Sequence, residues 1–376
     1  MKPFVLLNFR LFLSKRVMAW MAGSLFLWSF SVFGENTGFE YAASLPSLLK
    51  NARISEPLSL CGEMAELDRR DAREDMEKEM ILALWDVPQV ILWAKRAARY
   101  FPMIEEMLKM NGMPEDLKYV PIVESALKPH AGSSKGAMGF WQFMPATGKN
   151  YDLQVDFEKD ERRNLQKSTE AAISYLKFLH ETFGSWTLAL AAYNMGENGL
   201  KSEILTQKTN NFYDLYLSLE TRNYIFKILA VKCILSNPGK YGFQFSPEDL
   251  YKPLETDTMG LDCPEELPLV LVARALGTTF KTMKELNPEL RGPYVARGFH
   301  RLTIPKGSGN GFQEKFNNML NQWISEKEKR IYVVRPGDNL SMIAERLNVP
   351  LPALMQWNKM DMRKTIHPGD RLVVSP

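Results

Sequence analysis

The 376-residue sequence predicts an α+β chain, a mainly α-helical block followed by small β-α-α-β modules. Two observations carry this expectation. From about Trp85 to Tyr241 apolar residues recur at helical spacing, most clearly over 166–183, 185–195 and 220–235, and no stretch alternates long enough for a strand. The C-terminal third then repeats itself. Leu269, Val272, Ala273, Leu276, Met283, Leu286 and Asn287 return 71 positions later as Leu340, Ile343, Ala344, Leu347, Leu354, Trp357 and Asn358. Each copy closes on a short apolar strand, Leu302-Thr303-Ile304 and Leu372-Val373-Val374.

The expected organisation is therefore an N-terminal segment over 1–34, a charged helical region over 35–85, a compact helical domain over 86–241, a first repeat copy over 255–306, a linker over 307–330 and a second copy over 331–376. Lys2, Arg10, Lys15 and Arg16 precede an uncharged apolar run from Val17 to Phe33, with Val32 and Gly34 suited to cleavage before Glu35, which reads as a signal peptide and export. An uncleaved membrane anchor is the alternative, since the run is near the lower limit for a span. No Cys lies near Gly34, against a lipoprotein. Mixed charges from Glu63 to Lys78 read as a solvated helical lead-in.

The whole chain has 47 basic and 44 acidic residues, but four of the basic ones lie before Glu35, leaving 43 against 44 beyond it. That balance gives no electrostatic case for nucleic acid. Three cysteines, Cys61, Cys233 and Cys263, and four scattered histidines show no metal-binding spacing.

Glu124 is the candidate for chemistry. Leu117, Val120, Val123 and Leu127 mark one helical face, and Glu124 sits four after Val120 on it, with Lys128 the only local cation. A buried carboxyl without a partner keeps its proton toward neutral pH and can protonate a leaving oxygen; a distant Arg or a helix N-terminus could instead satisfy it. Pro129, Gly132 and Gly136 then force a loop that returns over this helix end. Glu115 and Asp116 are expected to cap the helix start, and Asp152 and Asp156 are weak candidates for a second carboxylate.

Four blocks in order, Glu124-Ser125, Gly139-Phe140-Trp141-Gln142, Ala192-Tyr193-Asn194 and Glu220-Thr221-Arg222-Asn223-Tyr224, resemble the signature of the lysozyme-like lytic transglycosylases. The resemblance runs from near Val90 to the C-terminus and departs at Phe140-Trp141, where the family commonly has Leu-Met. It implies a lysozyme-like catalytic domain acting on peptidoglycan glycan strands in the periplasm or cell envelope, with Glu124 as the single acid and then base, and no cofactor. The N-acetylmuramic acid itself would supply the nucleophile, its C6 hydroxyl closing a 1,6-anhydro ring. Ser125, Gln142 and Asn194 would then bond sugar hydroxyls or acetamide, Tyr193 and Tyr224 would hold Glu124 or the acetamide, and Met138, Gly139, Phe140 and Trp141 would wall the groove. Each of these residue types is more often structural, and only its place in the blocks raises it.

The second repeat copy, opening Ile331-Tyr332-Val333-Val334-Arg335-Pro336-Gly337-Asp338-Asn339-Leu340, looks like a LysM module, which implies glycan binding through Gly337, Asp338, Asn339 and Leu340. Asn339 replaces the usual hydroxyl residue and can still cap a helix. The first copy lacks the opening strand and Gly-Asp turn, so its role is glycan binding or packing. Two other classes compete with a lytic transglycosylase: a hydrolytic muramidase on the same fold, and a catalytically silent wall-binding protein.

Overall fold

The computed structural model describes residues 48–54, 57–361 and 364–375, with the side chains of 327 and 328 excepted. The expected export segment over 1–34 lies outside them. Among the described residues no helix is long and apolar enough to cross a membrane.

A two-stranded hairpin (β1 Ser59–Leu60, β2 Glu63–Met64) opens the helical block. Helices α1 Arg70–Trp85 and α2 Val87–Met110 follow, then a 3-10 turn Glu115–Tyr119 that runs into α3 Val120–Ser125. Next come α4 Pro145–Asn150, α5 Leu165–Phe183, α6 Trp186–Met195, α7 Glu197–Gln207 and α8 Leu219–Ser236. Helix α6 is the hub, packing against α5, α7 and α8. Its residues 188–192, Leu-Ala-Leu-Ala-Ala, are fully buried, because small side chains let neighbouring helices approach on every side.

Helix α1 differs from the solvated lead-in expected there. Ala72, Met76, Met80 and Leu84 recur every four residues and enter the same core as α8. Two carboxylates travel with them: buried Asp75 meets Arg222 at 2.7 Å, and Lys78 lies 3.3 Å from buried Glu79 while bonding Asn223 at 2.6 Å. Charges of alternating sign in sequence thus sort onto different faces, and α1 belongs to the helical domain.

The C-terminal repeat is a structural repeat. In the first copy, β3 Thr256–Cys263 pairs antiparallel with β6 Gly298–Pro305, while β4 Leu267–Pro268 pairs with β5 Tyr294–Val295; α9 Leu269–Ala275 and α10 Phe280–Leu286 lie between. In the second, β7 Ile331–Val333 pairs with β8 Arg371–Val373 around α12 Leu340–Arg346 and α13 Leu351–Trp357. Asn287 donates to the carbonyls of Met283 and Thr303 and accepts from the Thr303 amide. Asn358 does the same with Leu354 and Val373. Each Asn ties the end of the second helix to the closing strand, which explains its return.

Two expectations change here. The first copy does have an opening strand, β3, in which Met259, Leu261 and Cys263 face the core and alternate with exposed Gly260 and Asp262. The segment expected as a linker contains α11 Phe312–Ser325, and its Phe312 and Phe316 are buried in the first copy's core. The three cysteines are free thiols.

Candidate active site

Helix α3 is short because Ala126 and Leu127 adopt left-handed backbone angles, with φ of 51° and 56°. Arg96 of α2 donates to the Ala126 carbonyl at 3.1 Å and fixes that end. Glu124 occupies the last turn, half-buried at the base of a cleft of about 550 Å³. Burial is the main cause that lifts its pKa from 4.5 to about 7; a hydrogen bond from Tyr224 opposes it and nearby Glu220 adds to it. Among the described residues no cation pairs with Glu124. The Tyr224 hydroxyl donates to Oε1 at 2.5 Å.

The loop after α3 forms the next part of the cleft. Ser125 Oγ donates to the carbonyls of Pro121 and Phe140, at 2.9 and 2.8 Å, so it ties helix to loop. Gly139 has φ of +85°, and a Cβ there would stand 1.8 Å from the Arg162 carbonyl oxygen. Only glycine fits that position. Gln142 adopts φ of 50°, donates to Ala131 and Gly139 carbonyls, and lines the cleft.

Phe140 and Trp141 are in the core below the cleft and do not wall it, being 2% and 0% exposed. Phe140 packs edge-on against Tyr100, and the Trp141 indole donates to Thr169 at 3.0 Å. Aromatic bulk at these two positions fills space between helices, as large apolar side chains generally do. Met138 also lies off the cleft lining; its amide bonds the Phe143 carbonyl.

Tyr193 donates to the Trp141 carbonyl at 2.7 Å, and buried Thr221 donates to Asn194 Oδ1 at 2.9 Å. Burial, then the nearby Glu124 charge, raise the pKa of both Tyr193 and Tyr224. Both phenols therefore stay protonated donors. The structure thus brings Glu124 and Tyr224 into direct contact, sets Ser125 and Gln142 on the cleft, and uses Tyr193 and Asn194 to brace it.

Three contributions escape the sequence. Glu79, Gln89 and Trp93 from α1 and α2 line the wall beside Glu124. Glu63 caps α6, accepting from the Trp186 and Thr187 amides and from both the Ser185 and Thr187 hydroxyls. Buried Arg162 holds the loop from outside. None carries a local pattern.

The carboxylates considered from the sequence, Glu115, Asp116, Asp152 and Asp156, do not line the cleft. Asp116 accepts from the Cys61 amide and Lys232, each at 2.7 Å, and so ties the hairpin to α8 where a cap was expected. Asp156 accepts from the Glu158 and Lys159 amides in a turn, and neither it nor Asp152 lines the cleft. In the second repeat copy Asp338 accepts from Tyr332 and the Arg335 amide and meets Arg346 at 3.1 Å, while Asn339 caps α12. Gly337 turns the chain with φ of +87°, and Leu340 packs on the module's core. A larger cavity of about 650 Å³ opens where the 154–159 hairpin meets both repeat copies, and no residue of the four blocks lines it.

A family model described as Transglycosylase SLT domain matches residues 101–215, and one described as LysM domain matches residues 332–375. The chain is similar to membrane-bound lytic murein transglycosylase D of Escherichia coli (strain K12), 34% identical over 293 residues, covering 74% of this chain and 64% of that protein. Among solved structures, the 70 kDa soluble lytic transglycosylase of Escherichia coli matches at TM-score 0.35 and 18% identity, over 49% of this chain and 31% of that one. The lytic transglycosylase Slt of Pseudomonas aeruginosa matches at TM-score 0.33 and 19% identity, over the same shares. Residues 101–215 are thus similar to the transglycosylase SLT domain and residues 332–375 to the LysM domain, and the chain, similar over 74% of its length to membrane-bound lytic murein transglycosylase D, spans 64% of that relative's length.

Proposed function

We propose that this chain is a lytic transglycosylase of the cell envelope, cleaving the β-1,4 bond between N-acetylmuramic acid and N-acetylglucosamine in peptidoglycan. The carrying observation is one carboxyl of the cleft, Glu124, lifted to about 7 by burial and gripped by one phenol, while Glu79 on the same wall is paired with Lys78. Near neutral pH such a group exists in both protonation states, as one residue serving first as acid and then as base requires.

Glu124 gives its proton to the leaving glycosidic oxygen while the substrate's acetamide stabilises the anomeric carbon. The ionised Glu124 then takes the proton of the C6 hydroxyl as that oxygen bonds C1, so no water is consumed. Holding both reacting groups within one sugar replaces a second protein carboxylate. Ser125, Gln142 and Asn194 serve as polar contacts of the sugar or its supports, and Tyr193 and Tyr224 orient loop and acid.

The LysM domain, with the 337–340 turn, tethers the enzyme to glycan. The N-terminal 34 residues export the chain and, if uncleaved, attach it to the membrane.

Mass analysis of sugars released from purified sacculi is the test. The reading expects non-reducing anhydromuramic ends, one water lighter than hydrolytic products. Reducing muramic ends would move the chain to the muramidase reading, and no release would leave a wall-binding protein.

A further inference from the structure

We propose that Arg162 is a positioning residue for the cleft loop 131–143, and that the first repeat copy acts through it as a buttress of the active site. The inference rests on the cleavage reading for its kinetic assay only.

Arg162 is 5% exposed and its partner Asp160 2%. Nε and Nη2 each donate to one Asp160 carboxylate oxygen at 2.8 Å. Nη1 donates to the carbonyls of Gly136 and Phe143, at 2.8 and 2.9 Å. One guanidinium thus clasps both ends of the segment that carries Gln142, while its own carbonyl presses on Gly139 from beneath. Ser125 and Tyr193 hold the same segment through the Phe140 and Trp141 carbonyls. Between these two sets Gln142 keeps its left-handed φ, a conformation that persists only where its surroundings impose it. A lysine has the charge but not the fork, so it cannot make these four bonds together.

Asp160 is itself held from outside the helical domain. Its amide donates to the Glu289 carbonyl at 2.8 Å, and Lys159 forms a β-bridge with Leu290. The Arg291 amide donates to the Glu158 carbonyl and its Nη1 to the Asp156 carbonyl, both at 2.9 Å. These residues directly follow Asn287, the side chain that closes the first copy. A continuous chain of bonds therefore runs from that copy, through the 154–161 hairpin and Arg162, to the loop beside Glu124. The copy's place is set by the catalytic domain's backbone, unlike that of a free binding module.

The test uses full-length Arg162→Lys and Arg291→Ala proteins, a short soluble glycan, and hydrogen exchange of the loop amides. Arg291 is exposed, so its change spares folding. We expect Arg162→Lys to lower kcat roughly tenfold or more, with KM within about twofold, since small misplacement acts on turnover. Arg291→Ala should lower kcat about threefold and speed exchange of the Met138 and Gly139 amides. A folded Arg162→Lys protein with parental kcat would overturn the proposal. So would parental exchange of those amides in Arg291→Ala. If the parental chain cleaves no glycan, the cleavage reading fails, while the exchange result still decides the buttress.

Discussion

Tyr224 and Glu124, 100 residues apart in sequence, meet through a hydroxyl that donates to Oε1 at 2.5 Å. Helix α8 supplies the donor and α3 the acceptor, and their packing makes the contact. The bond favours the ionised carboxylate and so works against the burial that lifts Glu124 to about 7. The acid is balanced between two opposed environmental effects.

Tyr224→Phe should shift that balance in a known direction. Without the phenol the Glu124 pKa rises further, so the alkaline limb of the pH–kcat profile moves to higher pH. The lost bond costs about 1–3 kcal/mol, or a roughly fivefold to 150-fold lower kcat where it acts in the transition state. A profile and turnover identical to the parent would reduce Tyr224 to packing.

Glu124→Gln keeps shape and removes the proton. Cleavage of sacculi should fall by roughly two to four orders of magnitude, with wall binding retained. Stability should move the other way. The folded carboxyl, at about 7, binds its proton more tightly than the unfolded one at 4.5, so the parent loses stability as pH rises between these values. At about 1.4 kcal/mol per unit the loss above pH 7 is on the order of 2–4 kcal/mol. The Gln protein should therefore melt higher than the parent at pH 8 and alike at pH 4; equal melting at both would refute the buried-acid assignment.

Glu63→Ala should destabilise the helical domain by about 0.5–2 kcal/mol through loss of the α6 cap. Burial alone would raise the Glu63 pKa, but bonds from Thr187, Trp186 and Ser185 overcome it and hold the group below its ordinary 4.5. Its contribution is present above pH 4.5 and is lost as pH falls through the lowered folded value. Thermal melts from pH 7 downward should converge for parent and variant; a gap that stays constant into acid would show that the charge is irrelevant.

Deleting 331–376 should weaken retention on insoluble wall and leave cleavage of short soluble glycans largely intact. This copy has its own small core, and tethering raises local substrate concentration without changing the barrier. Equal losses on both substrates would argue against a tether.

Helical periodicity is visible in the sequence over most of the helical block, and the repeat is visible down to the paired Asn287 and Asn358. Glu124 stood out because a lone carboxylate on an apolar face is chemically conspicuous. Patterns of this kind are local, and local spacing is what a sequence displays directly. Even so, Phe140 and Trp141 show the limit: their block marks the site, yet their side chains face away from it.

The tertiary structure alone decided which groups meet. Tyr224 reaches Glu124, Glu63 reaches the start of α6, and Arg162 reaches the loop only because helices and hairpin pack as they do. A hydrogen bond needs its atoms within about 3 Å, and no spacing along the chain encodes that for residues from separate elements. Sequence determined the acid, the helical frame and the repeated modules; packing determined the acid's pKa, the residues that line its cleft, and the bracing that runs to it from the first repeat copy.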